Sequence, residues 1–307
     1  MEIFMSDFIK LAKGILGEAA VLCGEPLSAH STFKIGGPTD VFLRPETEEE
    51  LLSLIEAAKR TGTEFFVLGG GSNVLFSDKG FRGAVISTLG LRGVEIDGTR
   101  IKAGAGVTLP LLSARAGKNA LAGMVFMCGI PGTVGGGVFM NAGAHGGEIS
   151  NILVSSRYLD TASGRINELS TSEHEFSYRH SSYMEHPERI ILSATFELST
   201  GDAEGLRADT ECILRQRAAK QPLDFPSAGS VFKRCPGFFT AQLIDECGLK
   251  GCSVGGAQVS EKHAGFIINR GGATASDVLS LISHIKATVK EKHGIDIECE
   301  VRFVGEK

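Results

Sequence analysis

The chain has 307 residues, a net charge of −5 at pH 7 and 42% hydrophobic residues. This length allows two domains with a sizeable core, and the mild negative charge provides no basic surface for nucleic acid. Seven cysteines occur without a C-x-x-C pair, so we expect reduced thiols, no disulfide framework and no metal site. No apolar run approaches the roughly 18 residues of a membrane span and no secretory signal is recognisable, which predicts a cytoplasmic protein without a membrane partner.

The first third of the chain alternates between helix and strand. An amphipathic amino-terminal helix is predicted first, followed by an irregular stretch and a short strand at 40–43. Thr47 and Glu50 have the spacing of a capping box, so a helix should begin after Thr47 and end at Gly62. An apolar strand at 65–68 completes a β-α-β order, which predicts parallel pairing of the two strands through a right-handed crossover.

Shorter strands and turns are predicted for the middle of the chain. The segment Ile96-Asp97-Gly98-Thr99-Arg100-Ile101 is typical of a hairpin around Asp97-Gly98, and a helix at 109–116 follows. The polar segment at 199–202 is interpreted as the boundary between the first two thirds of the chain and a separate α+β or α/β layer that follows. The elements expected there are helices at 203–219, at 239–247 and from Thr274, whose partner in a capping box is Asp277, and strands at 265–269 and 295–304.

Two glycine-rich segments carry the strongest functional signal. The first is Gly69-Gly70-Gly71-Ser72-Asn73, and the second runs from Pro131-Gly132-Thr133-Val134-Gly135-Gly136-Gly137 to Asn141-Ala142-Gly143-Ala144. Glycine lets the backbone approach a ligand closely and present its N–H groups without a side chain in the way. Two such segments predict a site for a large anionic ligand with a diphosphate, although glycines that only form tight turns are the alternative.

Neither segment fits a common nucleotide fingerprint. A P-loop requires G-x-x-x-x-G-K followed by Ser or Thr, which is absent from both. The nearest match to the dinucleotide motif G-x-G-x-x-G is Gly104-Ala105-Gly106, but Leu109 stands at the position of the third glycine. The sequence therefore disfavours both a P-loop nucleotide-binding fold and a dinucleotide-binding Rossmann fold.

Several segments resemble those of one enzyme family and occur in its order, from about residue 24 to residue 305. They are His30–Gly37, Phe65–Leu75, Gly129–Ala144, Gly229–Arg234, Lys262–Asn269 and Glu300–Phe303. The sequence closely resembles the UDP-N-acetylenolpyruvoylglucosamine reductases, the MurB family. Because no tyrosine-bearing loop is inserted after Tyr178, the chain is similar to the shorter, type II branch.

The resemblance implies an α+β fold with two domains. Residues 1–200, with the amino-terminal helix, would form an FAD-binding domain of the vanillyl-alcohol-oxidase (PCMH) type made of two lobes. Residues 201–307 would form a smaller C-terminal α/β substrate-binding domain. The flavin would lie between the two glycine-rich segments.

The implied reaction reduces UDP-N-acetylglucosamine enolpyruvate to UDP-N-acetylmuramate, a precursor of peptidoglycan. NADPH passes hydride to FAD, the nicotinamide leaves, and the enolpyruvyl sugar takes its place and receives the hydride. Protonation from Ser230 follows. FAD is the implied cofactor and NADPH the co-substrate, and the sequence contains no recognisable pocket that would distinguish NADPH from NADH.

Three residues match the catalytic positions of the family. Arg179 would stabilise a carboxylate that gains charge, since a planar fixed cation suits an oxyanion. Ser230 matches the proton donor, and Glu300, expected on the final strand, matches the third catalytic residue. The substrate-binding candidates are Tyr178, Lys220, Lys233, Gln242 and His263. The cofactor-binding candidates are Gly69, Gly70, Gly71, Ser72, Asn73, Val74, Pro131, Gly132, Thr133, Gly135, Gly136, Asn141, Ala142, Gly143 and Ala144.

Two other functions stay open. An FAD oxidase of the same superfamily would use oxygen on an alcohol or sugar and would not need Arg179, Ser230 and Glu300 together, whereas a flavin-binding scaffold would not turn over NADPH. Cys128 and His145 stand where the family usually has Ser or Ala and Tyr, and we predict a small effect on redox potential or oxygen reactivity. We expect a UDP-sugar as the partner, no nucleic acid, and a monomer.

Overall fold

The computed structural model describes residues 2–306, with side chains from Met5 onward, and combines helices with mostly short strands. The helices are α1 (Glu2–Leu16), α2 (Glu48–Thr61), α3 (Leu109–Lys118), α4 (Val134–Phe139), α5 (Ala203–Lys220), α6 (Thr240–Glu246) and α7 (Ala275–His293). The strands are β1 (Val21–Cys23), β2 (Thr39–Leu43), β3 (Phe65–Leu68), β4 (Val74–Phe76), β5 (Phe81–Ser87), β6 (Val94–Asp97), β7 (Arg100–Gly104), β8 (Leu121–Ala122), β9 (Gly143–Ala144), β10 (Gly147–Glu148), β11 (Leu153–Asp160), β12 (Arg165–Ser170), β13 (Arg189–Glu197), β14 (Ser199–Thr200), β15 (Ser227–Ser230), β16 (Ser253–Val254), β17 (Ala257–Val259), β18 (Phe266–Asn269) and β19 (Arg302–Val304).

The chain divides into two compact units that are both discontinuous in sequence. The first unit contains residues 2–23, 41–70 and 83–216, and the second contains residues 24–40, 71–82 and 217–306. The sequence predicted one boundary near residue 200 instead. The assignment of FAD binding to 1–200 and of substrate binding to 201–307 stays a prediction.

Two sheets organise the first unit, a four-stranded sheet in the order β1-β2-β5-β3 and a five-stranded sheet in the order β12-β11-β13-β7-β6. One apolar cluster joins helices and sheets because each element buries its periodic apolar face. Its members include Phe8, Leu51, Leu54, Ile86, Leu112, Val138 and Phe196.

Local sequence signals are confirmed in this unit. Thr47 and Glu50 form both hydrogen bonds of a capping box before α2, and Gly62 ends the helix in the left-handed conformation. The predicted hairpin of β6 and β7 is present, with Gly98 and Thr99 as the two turn residues between the pair Asp97 and Arg100, and Gly98 has a φ of +56°. Glycine adopts this conformation without the steric cost that a Cβ would add.

The predicted direct pairing of β2 with β3 is wrong. β3 pairs in parallel with β5, from Phe65 opposite Ala84 to Leu68 opposite Ser87, and β5 lies between β2 and β3 in the sheet. The reason lies in the burial of β5, of whose seven residues only Arg82 is exposed. A strand that is apolar on both faces belongs at the centre of a sheet.

The second unit combines the four-stranded sheet β15-β18-β17-β16 with the parallel pair of β4 and β19. Helix α7 begins with the predicted capping box of Thr274 and Asp277, which is confirmed. The unit has its own apolar core, which includes Phe33, Leu75, Val231, Ile267, Ile285 and Val289. The segment 71–82 is tied to this unit by the pairing of β4 with β19, the last strand in chain order, and the segment 24–40 by the hydrogen bond from the Thr32 hydroxyl to Ser227 O.

The expected final strand at 295–304 is wrong over most of its length. Only Arg302–Val304 form β19, while Cys299 makes a single bridge to Phe232. The ladder with β4 begins at Arg302 opposite Val74, so the preceding residues are irregular. Helix α5 is confirmed, and none of its side chains is buried. Within residues 2–306, no helix is both long and apolar enough to cross a membrane.

Candidate functional site

The first glycine-rich segment follows β3 and presents backbone N–H groups. The N–H groups of Gly69, Gly70, Gly71 and Ser72 donate no hydrogen bond to any residue among 2–306. These residues are half-buried except Gly71, which is buried. Because three of the four residues are partly exposed, their N–H groups can be reached by an acceptor such as a phosphate oxygen.

Packing within the protein also requires glycine in this segment. A Cβ on Gly69 would lie 2.7 Å from Thr133 Oγ1 in the first unit. A Cβ on Gly71, whose φ is +63°, would lie 2.1 Å from the carbonyl oxygen of His30 in the second unit. Both distances are too short for non-bonded atoms, so glycine at 69 and at 71 serves the fold itself.

The second glycine-rich segment is partly helical. Thr133 caps α4, whose first N–H groups are already used: Val134 donates to Val107 O at 2.8 Å and Gly135 donates to Ala105 O at 2.9 Å. The N–H of Gly137 donates to Thr133 O at 2.7 Å. This segment is therefore anchored to the chain through its N–H groups, unlike the first.

The structure explains Gly104-Ala105-Gly106 without a ligand. A Cβ on Gly104 would lie 2.4 Å from Leu91 O, and a Cβ on Gly106 would lie 2.1 Å from Thr88 O. Both glycines allow two backbone segments of the first unit to approach each other closely. This agrees with the sequence argument against a dinucleotide motif here.

Arg179 lies in a tight turn of the first unit. Ser177 and His180 exchange backbone hydrogen bonds across the turn, and Arg179 has a φ of +56°, which is uncommon for a residue other than glycine. Its Nη2 donates to Gly143 O at 3.1 Å, and its guanidinium carbon lies 5.1 Å from the ring centroid of Tyr178. The half-buried guanidinium is thus held by the hairpin of β9 and β10 and by an aromatic ring.

A buried polar network holds the chain on both sides of this turn. Ser156 Oγ lies 2.7 Å from His174 Nε2 and 2.6 Å from the Tyr183 hydroxyl. His174 Nδ1 lies 2.7 Å from Ser170 O, which can only accept, so Nδ1 carries the proton and Nε2 accepts from Ser156. Tyr183 must then donate to Ser156. Burial lowers the pKa of His174 and raises the pKa of Tyr183, which keeps both neutral.

Ser230 and Glu300 are brought together within the second unit. The N–H of Glu300 donates to Val231 O at 2.7 Å, so Glu300 pairs with the residue after Ser230. Asn73 Nδ2 donates to Glu300 O at 3.2 Å, which adds the first glycine-rich segment to the same cluster. The expectation that Glu300 lies on the final strand is wrong, because its carbonyl bonds the Asn73 amide and the strand begins two residues later.

The substrate-binding candidates differ in their surroundings. Lys233 Nζ contacts Glu298 Oε2 at 3.3 Å, and Gln242 Nε2 donates to Glu246 Oε1 at 2.8 Å. Lys220 is exposed at the end of α5, and the Tyr178 side chain is exposed as well. Among the substrate candidates, Lys233 is close in the backbone to Glu300, because Lys233 N–H donates a hydrogen bond to Glu298 O, two residues before Glu300.

His263 is a half-buried neutral group near Ser230 in the sheet. Its ring packs edge-on against Phe266, the partner of Ser230 across β15 and β18. Burial lowers the pKa of His263, and Nδ1 accepts the N–H of Gly265 at 3.1 Å. The proton of the neutral ring is therefore on Nε2, which makes that atom a hydrogen-bond donor.

The sequence interpretation missed Thr32 as an organising residue of the second unit. Its N–H donates to Gly71 O at 3.0 Å, and its hydroxyl donates to Ser227 O at 2.7 Å. Thr32 thereby links the first glycine-rich segment to the strand that ends at Ser230. The only sequence signal was its place in the His30–Gly37 segment, which carried the family resemblance but no assigned role.

Comparisons with known proteins agree with this arrangement. The family model for an FAD binding domain matches residues 39–170, and the model for the UDP-N-acetylenolpyruvoylglucosamine reductase C-terminal domain matches residues 221–304. A UDP-N-acetylenolpyruvoylglucosamine reductase from Caldanaerobacter subterraneus subsp. tengcongensis is 46% identical over 295 residues, which cover 96% of this chain and 97% of the relative. One from Pediococcus pentosaceus is 46% identical over 290 residues, with coverage of 94% and 96%.

A solved structure extends the similarity to the fold. The crystal structure of UDP-N-acetylenolpyruvylglucosamine reductase (MurB) from Thermus caldophilus is similar with a TM-score of 0.78 and 33% sequence identity, covering 92% of this chain and 97% of that one. An FAD-binding domain joined to this C-terminal domain defines an FAD-dependent oxidoreductase. The chain belongs to the UDP-N-acetylenolpyruvoylglucosamine reductase (MurB) family.

The comparisons confirm three predictions. The family, the α+β fold with an FAD-binding domain and a C-terminal domain, and FAD as the cofactor are all as expected from the sequence. The unpaired N–H groups of residues 69–72 fit the diphosphate of FAD, which needs several hydrogen-bond donors. The roles of the individual site residues stay predictions.

Proposed function

We propose that the protein catalyses the NADPH-dependent reduction of UDP-N-acetylglucosamine enolpyruvate to UDP-N-acetylmuramate, a step of peptidoglycan precursor synthesis. The relatives named as this reductase, which match nearly the whole chain, support the reaction. The observation that carries the proposal is the backbone hydrogen bond from Glu300 N–H to Val231 O, because it places the segment of Glu300 beside the segment of Ser230, the candidate proton donor.

The residues that would hold FAD lie first in the segment Gly69–Ser72, whose N–H groups donate no hydrogen bond within residues 2–306 and can bond its diphosphate. The second segment is a further candidate, in which Gly135 is half-buried and Gly136 is exposed. Bound FAD supplies the group that accepts a hydride from NADPH and returns it to the substrate. We assign FAD binding to residues 1–200 and substrate binding to residues 201–307, and the matches to 39–170 and 221–304 support this division.

We assign the proton-handling and charge-stabilising steps to three side chains. Arg179 binds the substrate carboxylate and stabilises the charge that develops there when hydride adds to the terminal alkene carbon. Ser230 Oγ–H donates its proton to the carbon beside the ether oxygen, which completes the C–H bond, and solvent restores the hydroxyl proton. Glu300 assists that transfer, because serine alone is a weak acid.

An anaerobic flavin experiment tests the function. The purified holoprotein is reduced with NADPH, UDP-N-acetylglucosamine enolpyruvate is added, and flavin absorbance is followed. We expect bleaching by NADPH and rapid return of absorbance with the sugar. Return only when air is admitted would instead identify an oxidase, and absence of bleaching would identify a flavin-binding scaffold.

Three finer properties belong to the same proposal. Parallel titrations with NADPH and NADH test the nucleotide preference, for which we expect NADPH. Size-exclusion chromatography with light scattering tests the monomeric state, and fractionation of the source cells tests the cytoplasmic location. Cys128 is buried, and His145 lies in the β9–β10 turn with a φ of +51°. We propose that both residues slightly change the redox potential or oxygen reactivity of the flavin. For Cys128, an unchanged flavin midpoint potential in Cys128→Ser would contradict this proposal.

A further inference from the structure

Asn141 is fully buried, and both polar atoms of its side-chain amide form hydrogen bonds within the protein. Its Nδ2 donates to Ser177 O at 3.1 Å, and its Oδ1 accepts the N–H of Ser150 at 3.0 Å. The side chain has no exposed surface. An amide that bridges two backbone segments in this way is satisfied without any ligand.

The segment that contains Asn141 holds the Arg179 turn at three alternate residues. Phe139 O accepts from Ser181 Oγ at 2.7 Å, Asn141 Nδ2 bonds Ser177 O, and Gly143 O accepts from Arg179 Nη2 at 3.1 Å. All of these groups belong to the first unit. Asn141 supplies the one side-chain donor from this segment to the turn among these three contacts.

We propose that Asn141 is a positioning residue for Arg179 and not a ligand of the flavin. This inference rests on the proposed function, in which Arg179 binds the substrate carboxylate. The amide fixes the carbonyl of Ser177 and so holds the two-residue turn whose second member is Arg179. A guanidinium must be placed within a fraction of an ångström to stabilise a developing charge, and a displacement of about 1 Å can cost about 100-fold in rate.

Backbone conformation offers a competing reason for asparagine at this position. Asn141 has a φ of +42°, and asparagine tolerates the left-handed region better than most residues. Two variants separate the explanations. Asn141→Gly relaxes the backbone but removes both hydrogen bonds, whereas Asn141→Asp keeps the shape and the acceptor for Ser150 but replaces the donor to Ser177 O with a second oxygen.

Half-reactions of the holoprotein are the first test. We expect both variants to slow flavin reoxidation by the enolpyruvyl sugar by roughly 10- to 100-fold. Flavin reduction by NADPH should stay within about 3-fold, because that step does not need the substrate carboxylate bound by Arg179. Activity in Asn141→Gly equal to that of the parent would mean that asparagine serves only the backbone, and would overturn the proposal.

A double-mutant cycle with Arg179→Ala decides whether the effect passes through the arginine. If it does, Asn141→Asp should cost less than about 2-fold in the Arg179→Ala protein, because the positioned group is already absent. An equal cost in both backgrounds would show a general structural effect and reject the positioning role. Ala120→Gly, which relaxes another left-handed residue of the first unit, is the matched backbone control.

Hydrogen exchange of the protein as purified gives a readout that needs no activity. The amides of Ser177 and His180 are bonded across the turn at 3.3 and 3.2 Å, so Asn141→Asp should raise their exchange rates while the amides of α7 are unchanged. Unchanged exchange at the turn would contradict the anchoring role. This arm remains decisive if the parent protein fails to reduce the enolpyruvyl sugar, so failure of the inference and failure of the proposed function are told apart.

Discussion

Asn73 Nδ2 donates a hydrogen bond of 3.2 Å to the carbonyl oxygen of Glu300. The two residues are far apart in sequence, yet the bond joins the first glycine-rich segment to the segment of a proposed catalytic carboxyl group. The backbone continues the connection, because Arg302 N–H donates to Asn73 O at 3.1 Å. Within the second unit, the position of Glu300 therefore depends on the glycine-rich segment.

Replacement of Asn73 should consequently affect both stability and turnover. In Asn73→Asp an oxygen faces the Glu300 carbonyl, and we expect a loss of about 1 kcal/mol in the free energy of unfolding and slower reoxidation by the sugar substrate. Urea unfolding and stopped-flow absorbance measure the two effects. Asn119→Asp is a matched control, because the exposed Asn119 Nδ2 also bonds a backbone carbonyl, that of Arg115, at 2.9 Å. Equal kinetics in both variants would refute the link to Glu300.

Glu300 should matter for the sugar half-reaction alone. We expect Glu300→Gln to slow reoxidation of reduced flavin by the enolpyruvyl sugar by roughly 10²- to 10⁴-fold, the usual range for loss of general acid–base assistance, with NADPH reduction unchanged. Rapid-mixing absorbance under nitrogen separates the steps. Glu291→Gln, on an exposed part of α7, is the control. A comparable loss in both half-reactions would remove Glu300 from the proton-transfer step.

Acid should destabilise the first unit through His174. Because its pKa is lowered from the ordinary value of 6.5 in the folded protein, the unfolded chain binds more protons in mild acid, so stability is full above about pH 6.5 and falls below it. His174→Gln should reduce the slope of unfolding free energy between about pH 5 and 7, measured by urea titration. The pKa of His263 is lowered as well, but His263 is present in both the parent and the His174→Gln protein, so its contribution cancels in the comparison.

The control for this measurement is His284→Gln, since His284 is exposed on α7 and removal leaves the buried network intact. An identical slope for His174→Gln and the parent would show that the Ser156–His174–Tyr183 network does not control the acid response.

Tyr183→Phe removes the O–H donor to Ser156, and we expect it to lower the free energy of unfolding by about 1 kcal/mol at neutral pH.

Gly71 should be intolerant of any side chain. Both Gly71 and Gly98 have left-handed φ values, of +63° and +56°, so alanine costs about 1–2 kcal/mol at each for conformation alone. Only at Gly71 does a Cβ also meet a backbone carbonyl, so Gly71→Ala should lose about 1–3 kcal/mol more than Gly98→Ala. Thermal unfolding measures the difference, and similar midpoints would contradict the steric argument.

Elements with local signals were predictable from the sequence. The capping boxes at Thr47 and Thr274 are examples, because each depends on two side chains three residues apart. The hairpin at Asp97-Gly98 is another, since its turn chemistry lies within one short segment. The prediction of a diphosphate site in the two glycine-rich segments stays a prediction, and the helix α4 that begins inside the second segment was not foreseen.

Relationships between distant segments were not predictable in this way. Nothing near β3 shows that β5, and not β2, is its neighbour, because pairing depends on burial of the whole sheet. Similarly, Asn73 and Asn141 looked like cofactor-binding candidates, and no local pattern shows that their amides bond the backbone at Glu300 and Ser177. Side-chain hydrogen bonds to remote carbonyls leave no periodic trace in a sequence.

The parallel pairing of β4 with β19 has a consequence for how the chain acquires its structure during synthesis. β4 leaves the ribosome early, but its partner β19 is the last strand in chain order. The hydrogen bond from Ser77 N–H to Val304 O likewise cannot form until residue 304 has been synthesised. Contacts of such large sequence separation form slowly and keep strand edges exposed until they close. The second unit is therefore completed only after translation reaches β19, and the strand edge of β4 stays unpaired until then.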